Sequence, residues 1–344
     1  MSVIEIAVNA YKGYASYLWD TIINFNWSEG FYNNYFYWLL IVSAFFFLLE
    51  VLKPWREDQS RFRKDFWLDF FYMFFNFFLF SLIIYNAASE LVVHFFNNGI
   101  LSITGIDLKQ INPLYESPLW LVLLVGFMVR DFVQWWTHRL LHRVEFLWEF
   151  HKVHHSVEQM GFAAHLRYHW MENVVYRTLE YIPLALIGIG LYDFFIIHIF
   201  TLAVGHYNHS NITVKGPVSG GVFGALLGLL IANGYFEINL LNQPEWYVQL
   251  LVILACILIG VVVLGPFMKK IFNSPEMHIW HHAYNLPKEK KYGVNFGLTL
   301  AIWDYIFGTA HVPYDGKDIR LGFPGVEEFP EGFASQMVHG IRKS

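Results

Sequence analysis

Histidines at metal-ligand spacing are concentrated in one short stretch of this chain. Residues 131–156 contain five of them: His138, His142, His151, His154 and His155. Histidines three or four positions apart lie on one face of a helix, so each cluster would present its imidazoles together. Neutral imidazole is the commonest metal ligand in proteins and suits iron, zinc, copper and nickel. The stretch therefore predicts a metal site built on helices.

A second cluster with the same HxxHH spacing lies far downstream and consists of His278, His281 and His282. Two further pairs lie between the clusters: His165 with His169, and His206 with His209. A single HxxxH pattern would be a weak signal. One HxxxH box and two HxxHH boxes in the same chain together predict metal binding.

The number and kind of possible ligands indicate two metal ions. The single cysteine, Cys256, leaves no thiolate cluster, so histidine must supply the ligands. The three boxes contain eight histidines, whereas one zinc ion takes about three or four protein ligands. Neutral imidazoles would leave a two-metal centre strongly positive. Such a centre suits the activation of dioxygen and the oxidation of an inert C–H bond.

The composition predicts an all-α integral membrane protein. Of the 344 residues, 56% are hydrophobic and 15% are charged, against roughly 25% charged in an average soluble domain. The net charge of −5 gives no indication of a nucleic-acid partner. After an interfacial helix in residues 1–35, we expect about four to six hydrophobic segments, some of them broken hairpins. The segments are residues 35–52, 66–96, 119–136, 181–205, 218–232 and 246–268, with residues 97–117 as a loop.

The order of these segments places all the histidine boxes on one side of the membrane. Residues 53–65 contain five Lys and Arg residues, which favours a cytoplasmic loop. The segment 119–136 crosses back and runs directly into His138. Residues 181–205 are interrupted by Pro183 and Gly188, and we expect a hairpin that returns to the same side. The metal site is therefore expected at the cytoplasmic face of a bacterial inner membrane or an ER membrane.

The run of motifs resembles the fatty acid hydroxylase/sterol desaturase superfamily of membrane di-iron oxygenases. The motifs are Asp131 with HRLLH (138–142), FHKVHHS (150–156), HSN (209–211), SPEMHIWHH (274–282), NFGLTLAIWDYIFGT (295–309) and LGFPG (321–325). The resemblance is strongest over residues 119–325. An additional apolar hairpin within residues 216–275 departs from the family pattern. We expect one membrane-embedded catalytic domain over residues 1–344, with a soluble tail at 326–344.

The resemblance implies a transmembrane helical fold that is capped on the cytoplasmic side by a helical metal domain with histidine boxes. It implies two iron ions, O₂ as co-substrate, and a lipid substrate, either sterol-like or fatty-acyl/alkyl. The catalytic metal-binding residues would be His138, His142, His151, His154, His155, His278, His281 and His282. The resemblance adds His169 and His209 as metal ligands, and Asp131 and Asp304 as residues that orient the ligand imidazoles.

No organic cofactor site is expected, because no haem-binding domain or Gly-rich dinucleotide fingerprint is present in the sequence. The resemblance instead implies electrons from an external donor of the cytochrome b5, ferredoxin or reductase type. The roles of His165 and His206 stay open at this stage. So do those of Arg167 and Glu172, as solvated charges or as salt-bridge partners near the site.

Two other functions use the same ligands. A zinc-dependent lipid hydrolase would activate water and would need a general base, for which Glu276, just before the third box, is the candidate. A non-enzymatic, histidine-rich metal transporter would place its ligands at mid-membrane. The boxes of this chain instead lie at the ends of the hydrophobic segments.

Overall fold

The computed structural model describes residues 2–23, 34–80, 86–107, 113–114, 116–189, 191–232 and 246–341. Within these ranges the chain is helical and forms no strand, apart from two isolated β-bridges. The α-helices are α1 (Val3–Ile22), α2 (Tyr35–Leu52), α3 (Phe66–Phe74), α4 (Asn86–Thr104), α5 (Leu119–Arg143), α6 (Glu145–His155), α7 (Trp170–Leu186), α8 (Leu191–His209), α9 (Gly216–Ala232), α10 (Trp246–Ile259), α11 (Met268–Ile271), α12 (Pro275–His281), α13 (Ile302–Ile306) and α14 (Phe333–Met337).

Among the described residues, three helical stretches are long and apolar enough to cross a membrane, judged by length and composition. They are α2, α5 and the continuous stretch Trp246–Ile271 that includes α10 and α11. Helix α9 is equally apolar but shorter. Large apolar side chains remain exposed on these helices, for example Leu251 and Val262, each 62% exposed. The predicted all-α membrane architecture is therefore confirmed.

Two predicted segments differ in detail from the structure. Within the long apolar run 66–96, α3 is followed by a π-helical turn, Phe75–Leu79, and residues 81–85 lie outside the described part. Helix α4 then extends to Thr104, so the predicted loop at 97–117 begins too early. Helix α4 packs against α1, and this contact stabilises a helix over residues that the sequence alone marked as polar.

The hairpin expected in the middle of the chain is formed by α7 and α8. Helix α7 contains Pro183 and ends at Leu186. Gly188 follows with φ +75°, a left-handed conformation that glycine adopts without steric cost. Helix α8 then returns to end at His209, and both helices pack against α5. The hairpin therefore begins and ends on the side of the histidine boxes.

The additional hairpin of α9 and α10 is held together by glycines. A Cβ atom on Gly220 would lie 2.1 Å from the carbonyl oxygen of Gly260, so only glycine allows the two backbones to approach this closely. Small residues at helix contacts are typical of helices that pack within membranes. The hairpin meets the remaining helices at Phe272, directly after α11, whose ring centroid lies 6.3 Å from that of Phe200 on α8.

Four helix ends converge to position the histidine boxes. Helix α5 carries the first box in its last turns, and α6 follows directly after Val144 and carries the second. Helix α12 carries the third box. It begins with Ser274, whose hydroxyl accepts a hydrogen bond from the Met277 amide, and Pro275 occupies its first position. The end of α8 packs against α12 and completes the arrangement.

Candidate metal centre

The histidines of the boxes form two adjacent groups, each able to surround one metal ion. The five-histidine group consists of His138, His142, His151, His155 and His281. The four-histidine group consists of His154, His209, His278 and His282. Within each group the ligand nitrogens lie within 4.8 Å of one another. One nitrogen per side chain at such distances is the arrangement that a shared metal ion requires.

Each HxxHH box contributes to both groups, because of where its residues lie on the helix. On α6, His151 and His155 belong to the five-histidine group, whereas His154 points to the four-histidine group. The third box contributes only His281 to the five-histidine group, and its other two histidines, His278 and His282, belong to the four-histidine group. Both helices therefore lie between the two groups and fix their separation.

The Nε2 atoms of these histidines face one another at short distances. The His138–His151 pair is 3.1 Å apart, and the His155–His281 pair 3.0 Å. In the four-histidine group, Nε2 of His209 lies 2.9 Å from that of His278. At this distance, two neutral imidazole nitrogens either turn their lone pairs toward each other or must share one proton. A cation between them resolves this conflict.

The opposite ring nitrogens of several histidines are held by hydrogen-bond acceptors. Nδ1 of His138 donates to the Phe296 carbonyl at 2.8 Å, and Nδ1 of His281 to the Val294 carbonyl at 2.8 Å. Nδ1 of His209 donates to the Gly205 carbonyl, also at 2.8 Å. A proton on Nδ1 leaves a lone pair on Nε2, which is the tautomer needed for metal binding through Nε2.

Burial favours the neutral form of these ligands. Burial lowers the pKa of His151, His155 and His282 well below the usual range, and the neighbouring imidazoles lower it further. Nε2 of His142 is buried and has no hydrogen-bond partner among the described residues. An unpaired buried nitrogen typically costs about 1–3 kcal/mol. The set of neutral nitrogens therefore fits metal ions such as iron.

Glu172 holds one of the ligands directly. Its Oε2 lies 2.7 Å from Nδ1 of His151, and both side chains are buried. A carboxylate that accepts from the outer nitrogen fixes the ring and increases its basicity as a ligand. The sequence left the role of Glu172 open, and the structure identifies it as a positioning residue. Its place in the first turn of α7, next to the box helix α6, was the only signal.

Arg167, also left open by the sequence, acts through its backbone and its charge. Its carbonyl oxygen lies 3.2 Å from Nδ1 of His154. Its guanidinium lies 3.1 Å from both Asp65 and Asp69, and Asp69 also pairs with Arg63. This buried ion network ties the segment that contacts His154 to α3 and to the loop before it.

Asp131 and Asp304 do not contact the ligand imidazoles, which corrects the expectation for these two residues. Asp131 accepts hydrogen bonds from the amides of Thr299 and Leu300, both at 3.2 Å. Asp304 accepts from the amides of Phe296 and Gly297, at 2.9 and 2.8 Å. The two carboxylates therefore shape the loop at 294–300, and this loop presents its carbonyl groups to His138 and His281.

The structure brings nine of the ten expected ligands together, and His169 is the exception. Its Nε2 donates to the Met337 carbonyl at 2.8 Å, and its Nδ1 accepts from the Met171 amide at 3.1 Å. Both nitrogens are thus used in joining α14 to the start of α7. In the described part of the chain, His169 belongs to neither group.

His165 and His206 also lie outside the two groups but adjoin the four-histidine group. Their Nδ1 atoms are 2.9 Å apart, and Nε2 of His206 lies 3.0 Å from the Ser43 hydroxyl. The His165 ring centroid is 5.2 Å from that of His209. A Cβ atom on Gly205 would lie 2.1 Å from the His165 ring, so this glycine leaves the space that the ring occupies.

A cleft of about 750 Å³ opens at the five-histidine group. His142, His155 and His281 line it. Its wall also contains three cations and one carboxylate: Arg143, Lys152, Lys291 and Glu145. The two groups therefore differ in access, since all four members of the four-histidine group are buried.

Glu276 is held away from the role of a general base. Its Oε1 accepts from Lys269 Nζ at 2.5 Å and from the hydroxyl of Thr213. It belongs to neither group of candidate ligands within the described residues. The carboxylate thus neutralises a lysine beside the third box and does not face the metal ligands.

Comparisons with known proteins agree with this geometry. The family model for fatty acid hydroxylase matches residues 123–234 and 222–309. The chain is 25% identical to an ornithine lipid hydroxylase, OlsE, of Rhizobium tropici, over 65% of this chain and 51% of that protein. It is 25% identical to an alkylglycerol monooxygenase of Xenopus tropicalis, over 66% of this chain and 38% of that protein.

A more distant relative is a very-long-chain aldehyde decarbonylase, GL1-4, of Oryza sativa subsp. indica. It is 21% identical over 58% of this chain and 25% of the relative. The chain thus spans about half the length, or less, of these curated relatives. No solved structure matches the chain. The resemblance predicted from the histidine boxes is confirmed.

Proposed function

Because this chain belongs to the fatty acid hydroxylase family, we propose that it is a membrane di-iron oxygenase. In this proposal it hydroxylates or desaturates a lipid with O₂ and electrons from an external donor. The observation that carries the proposal is the pair of adjacent groups that together contain nine histidines and no carboxylate.

The two groups would each hold one iron ion. When bound, the irons would supply the reductive activation of O₂ that attack on an unactivated C–H bond requires. The protein contributes placement. Glu172 and the carbonyl groups of Phe296 and Val294 fix three of the ligand rings, and the burial of the four-histidine group excludes water. Fixed, neutral nitrogen ligands would leave the positive charge of the bound ions uncompensated.

We propose that the histidine groups face the cytoplasm. The basic loop after α2 packs on the HSN motif that follows α8: the Arg56 amide donates to Asn211 Oδ1 at 2.9 Å. The Trp55 amide donates to the Asn211 carbonyl at 2.8 Å. The basic loop and the ligand His209 therefore lie at the same end of the helices. The tendency of basic loops to stay in the cytoplasm supports the orientation.

The cleft at the five-histidine group suits an acidic electron carrier of the cytochrome b5, ferredoxin or reductase type. Lys152 is paired with Glu149, but Arg143 and Lys291 still outnumber the single carboxylate Glu145 in the wall, which favours an acidic partner. His142 and His155 form part of the same wall. Complementary charge steers association and fixes orientation more than it raises affinity. An electron delivered to this cleft would arrive directly at ligands of the five-histidine group.

The lipid class is inferred from the relatives and from the membrane. The relatives are named for an ornithine lipid, alkylglycerols and very-long-chain aldehydes. All three are molecules with long apolar chains. The exposed apolar faces of the membrane helices would keep such a substrate beside the site. The hydrolase alternative finds no support, because Glu276 is held by Lys269 and Thr213.

The test is O₂-dependent modification of a lipid by the full chain in membranes. Membranes containing the protein and a reductant are supplied with isotopically labelled O₂, and extracted lipids are analysed by mass spectrometry. Incorporation of label indicates hydroxylation, and loss of hydrogen without label indicates desaturation. Membranes with His154→Ala should give neither product, whereas His94→Ala, outside both groups, should retain activity. A product formed equally well without O₂ would contradict the proposal.

A further inference from the structure

Helices α5, α7 and α8 enclose a second, smaller cavity of about 80 Å³ next to the metal centre. Arg130, Arg177 and Glu180 line its wall, together with His165 and Gly205 beside the four-histidine group. A volume of this size holds a few water molecules or one small polar group. Pockets that enclose entire ligands measure roughly 300–1,000 Å³. The cavity therefore suits a polar end of a molecule and excludes an acyl chain.

Arg130 is buried at this cavity, and one of its donors is unused. It is 3% exposed, and its Nη1 donates to the Thr201 hydroxyl at 2.7 Å. Its Nη2 donates to Nδ1 of His198 at 3.2 Å. Its Nε lies 3.6 Å from Glu180 and makes no hydrogen bond with any described residue. This buried Nε is therefore held only by the longer ion pair with Glu180, and its hydrogen bond stays available for an oxygen atom.

Arg177 adds a second guanidinium without a second carboxylate. It lies over the ring of Phe194, 5.6 Å from the centroid, and forms no ion pair within the described residues. Glu180 is already shared, since it pairs with Arg130 and accepts from Gln134 at 2.5 Å. The cavity wall therefore holds an excess of positive charge. An unpaired cation in such surroundings is costly, and an anion would relieve the cost.

We propose that this cavity binds the anionic group, carboxylate or phosphate, of a lipid substrate. Arg177 would be the main ligand of the anion, and Nε of Arg130 a second donor. Arginine is the preferred side chain for both kinds of anion because its planar guanidinium offers paired donors. This inference rests on the proposed function, because it assigns the substrate class of the same metal centre.

The position of the cavity determines which carbon is oxidised. His165 separates the cavity from the four-histidine group, and its ring centroid lies 5.2 Å from that of His209. A lipid anchored by its anionic group would therefore bring carbons close to that group to the metals. The far end of its chain would lie along the apolar surface. The substrate class is an acidic lipid that is oxidised near its headgroup.

The test compares anionic and neutral amphiphiles of equal chain length on the purified full-length protein. The probes are N-dodecanoylglycine, dodecyl phosphate and 1-dodecanoylglycerol in a non-ionic detergent, with inorganic phosphate as the free anion. Dissociation constants come from quenching of tryptophan fluorescence. We expect at least one anionic amphiphile to bind about tenfold tighter than the neutral one, because hydrogen bonds between a guanidinium and an anion contribute about this much. Whether the carboxylate or the phosphate binds more tightly identifies the headgroup.

Variants of Arg177 decide whether the preference arises in this cavity. Arg177→Gln should abolish the preference for the anion, and Arg177→Lys should retain part of it. Arg320→Gln, at an exposed ion pair with Glu327, should leave it unchanged. Arg177 has no ion-pair partner among the side chains that the structure describes, so its loss leaves none of those carboxylates unpaired. Thermal unfolding checks that each variant is folded. If Arg177→Gln fails to fold, Arg177→Lys is used instead. A preference for the anionic amphiphile in Arg177→Lys that equals that of the wild type then overturns the proposal.

Other outcomes are equally informative. Equal binding of neutral and anionic amphiphiles would overturn the inference, as would a preference that Arg177→Gln leaves intact. Tight binding of inorganic phosphate alone, with no gain from the alkyl chain, would show an anion site unrelated to lipids and also overturn it. Binding is measured without turnover. Failure of the O₂-dependence test would therefore contradict the oxygenase proposal without affecting the evidence for the anion site. Failure of the binding test would contradict the anion site without affecting the oxygenase proposal.

Discussion

The five-histidine group and the four-histidine group are built from the same boxes but differ in their surroundings. The five-histidine group borders an open cleft with a basic wall, and its member His142 is only half-buried. The four-histidine group is entirely buried and adjoins His165 and the small cavity beside Arg130 and Arg177. We take the difference to mean a division of labour. Electrons would reach the first group from the aqueous side, and the lipid would approach the second from the membrane side.

Removing a ligand should affect the two groups unequally, and this is the largest effect we expect. His278→Ala leaves three histidines in its group, whereas His281→Ala leaves four in the other. A metal site needs about three or four protein ligands, so the smaller group has no ligand to spare. Elemental analysis of the purified variants should show a greater loss of metal in His278→Ala. Equal loss in both variants would mean that the groups bind metal as one unit.

Glu172 should influence the five-histidine group alone. Glu172→Ala removes the acceptor that fixes His151, and such a loss typically weakens metal affinity about 10–100-fold. Chelator competition on purified protein measures the change. Glu149→Gln is the matched control, since that carboxylate lies on α6 but pairs with Lys152. An unchanged affinity in Glu172→Ala would show that packing, and not this hydrogen bond, holds the ring.

Gly205→Ala tests the packing behind the four-histidine group. The new Cβ atom would overlap the His165 ring, and overpacking of this kind usually costs about 1–3 kcal/mol. We expect a lower temperature of unfolding. Gly13→Ala is the control, because a Cβ atom there meets nothing within 4 Å. It should be neutral or slightly stabilising, as alanine is favoured over glycine in a helix. Similar behaviour of both variants would argue against a fixed position of His165.

The smallest effect concerns the basic wall of the cleft. Lys291→Glu should slow reduction by an acidic carrier a few-fold at low salt, because it reverses one charge in the contact surface. Added salt should remove the difference, as exposed charges are screened. Stopped-flow reduction measures the rate. Lys12→Glu on α1, remote from the cleft, should behave like the wild type, and a slowing that is insensitive to salt would contradict carrier docking here.

The sequence allowed much of the metal centre to be predicted, because helical spacing alone places box histidines on common faces. The bounds of α2 agreed with the hydropathy pattern, since Asn34 caps its start and the polar residues after Leu52 end it. The contact of Glu172 with His151 could not be predicted, because it depends on how the start of α7 lies against α6. The same holds for His169, whose Nε2 finds its acceptor, the Met337 carbonyl, on α14.

The division of each HxxHH box between two groups was also beyond the sequence. Spacing shows that His151, His154 and His155 share a region of the helix surface, but not which neighbours they meet. Only the positions of α8 and α12 assign His154 to the group of His209 and His278. Asp131 and Asp304 illustrate the same limit. Both carboxylates accept hydrogen bonds from backbone amides of the loop at 294–300, which is close to Asp304 in the chain but far from Asp131. The motifs alone did not show that the loop needs these acceptors.

The most direct test of the central claim is the metal content of the purified wild-type protein. Elemental analysis of full-length protein, purified in detergent without chelators, should give about two iron ions per chain, one for each group. Mössbauer spectra of protein enriched in iron should then show nitrogen-rich sites of two kinds, as the unequal groups require. A single tightly bound zinc ion per chain, or no stoichiometric metal at all, would contradict the account of a di-iron centre.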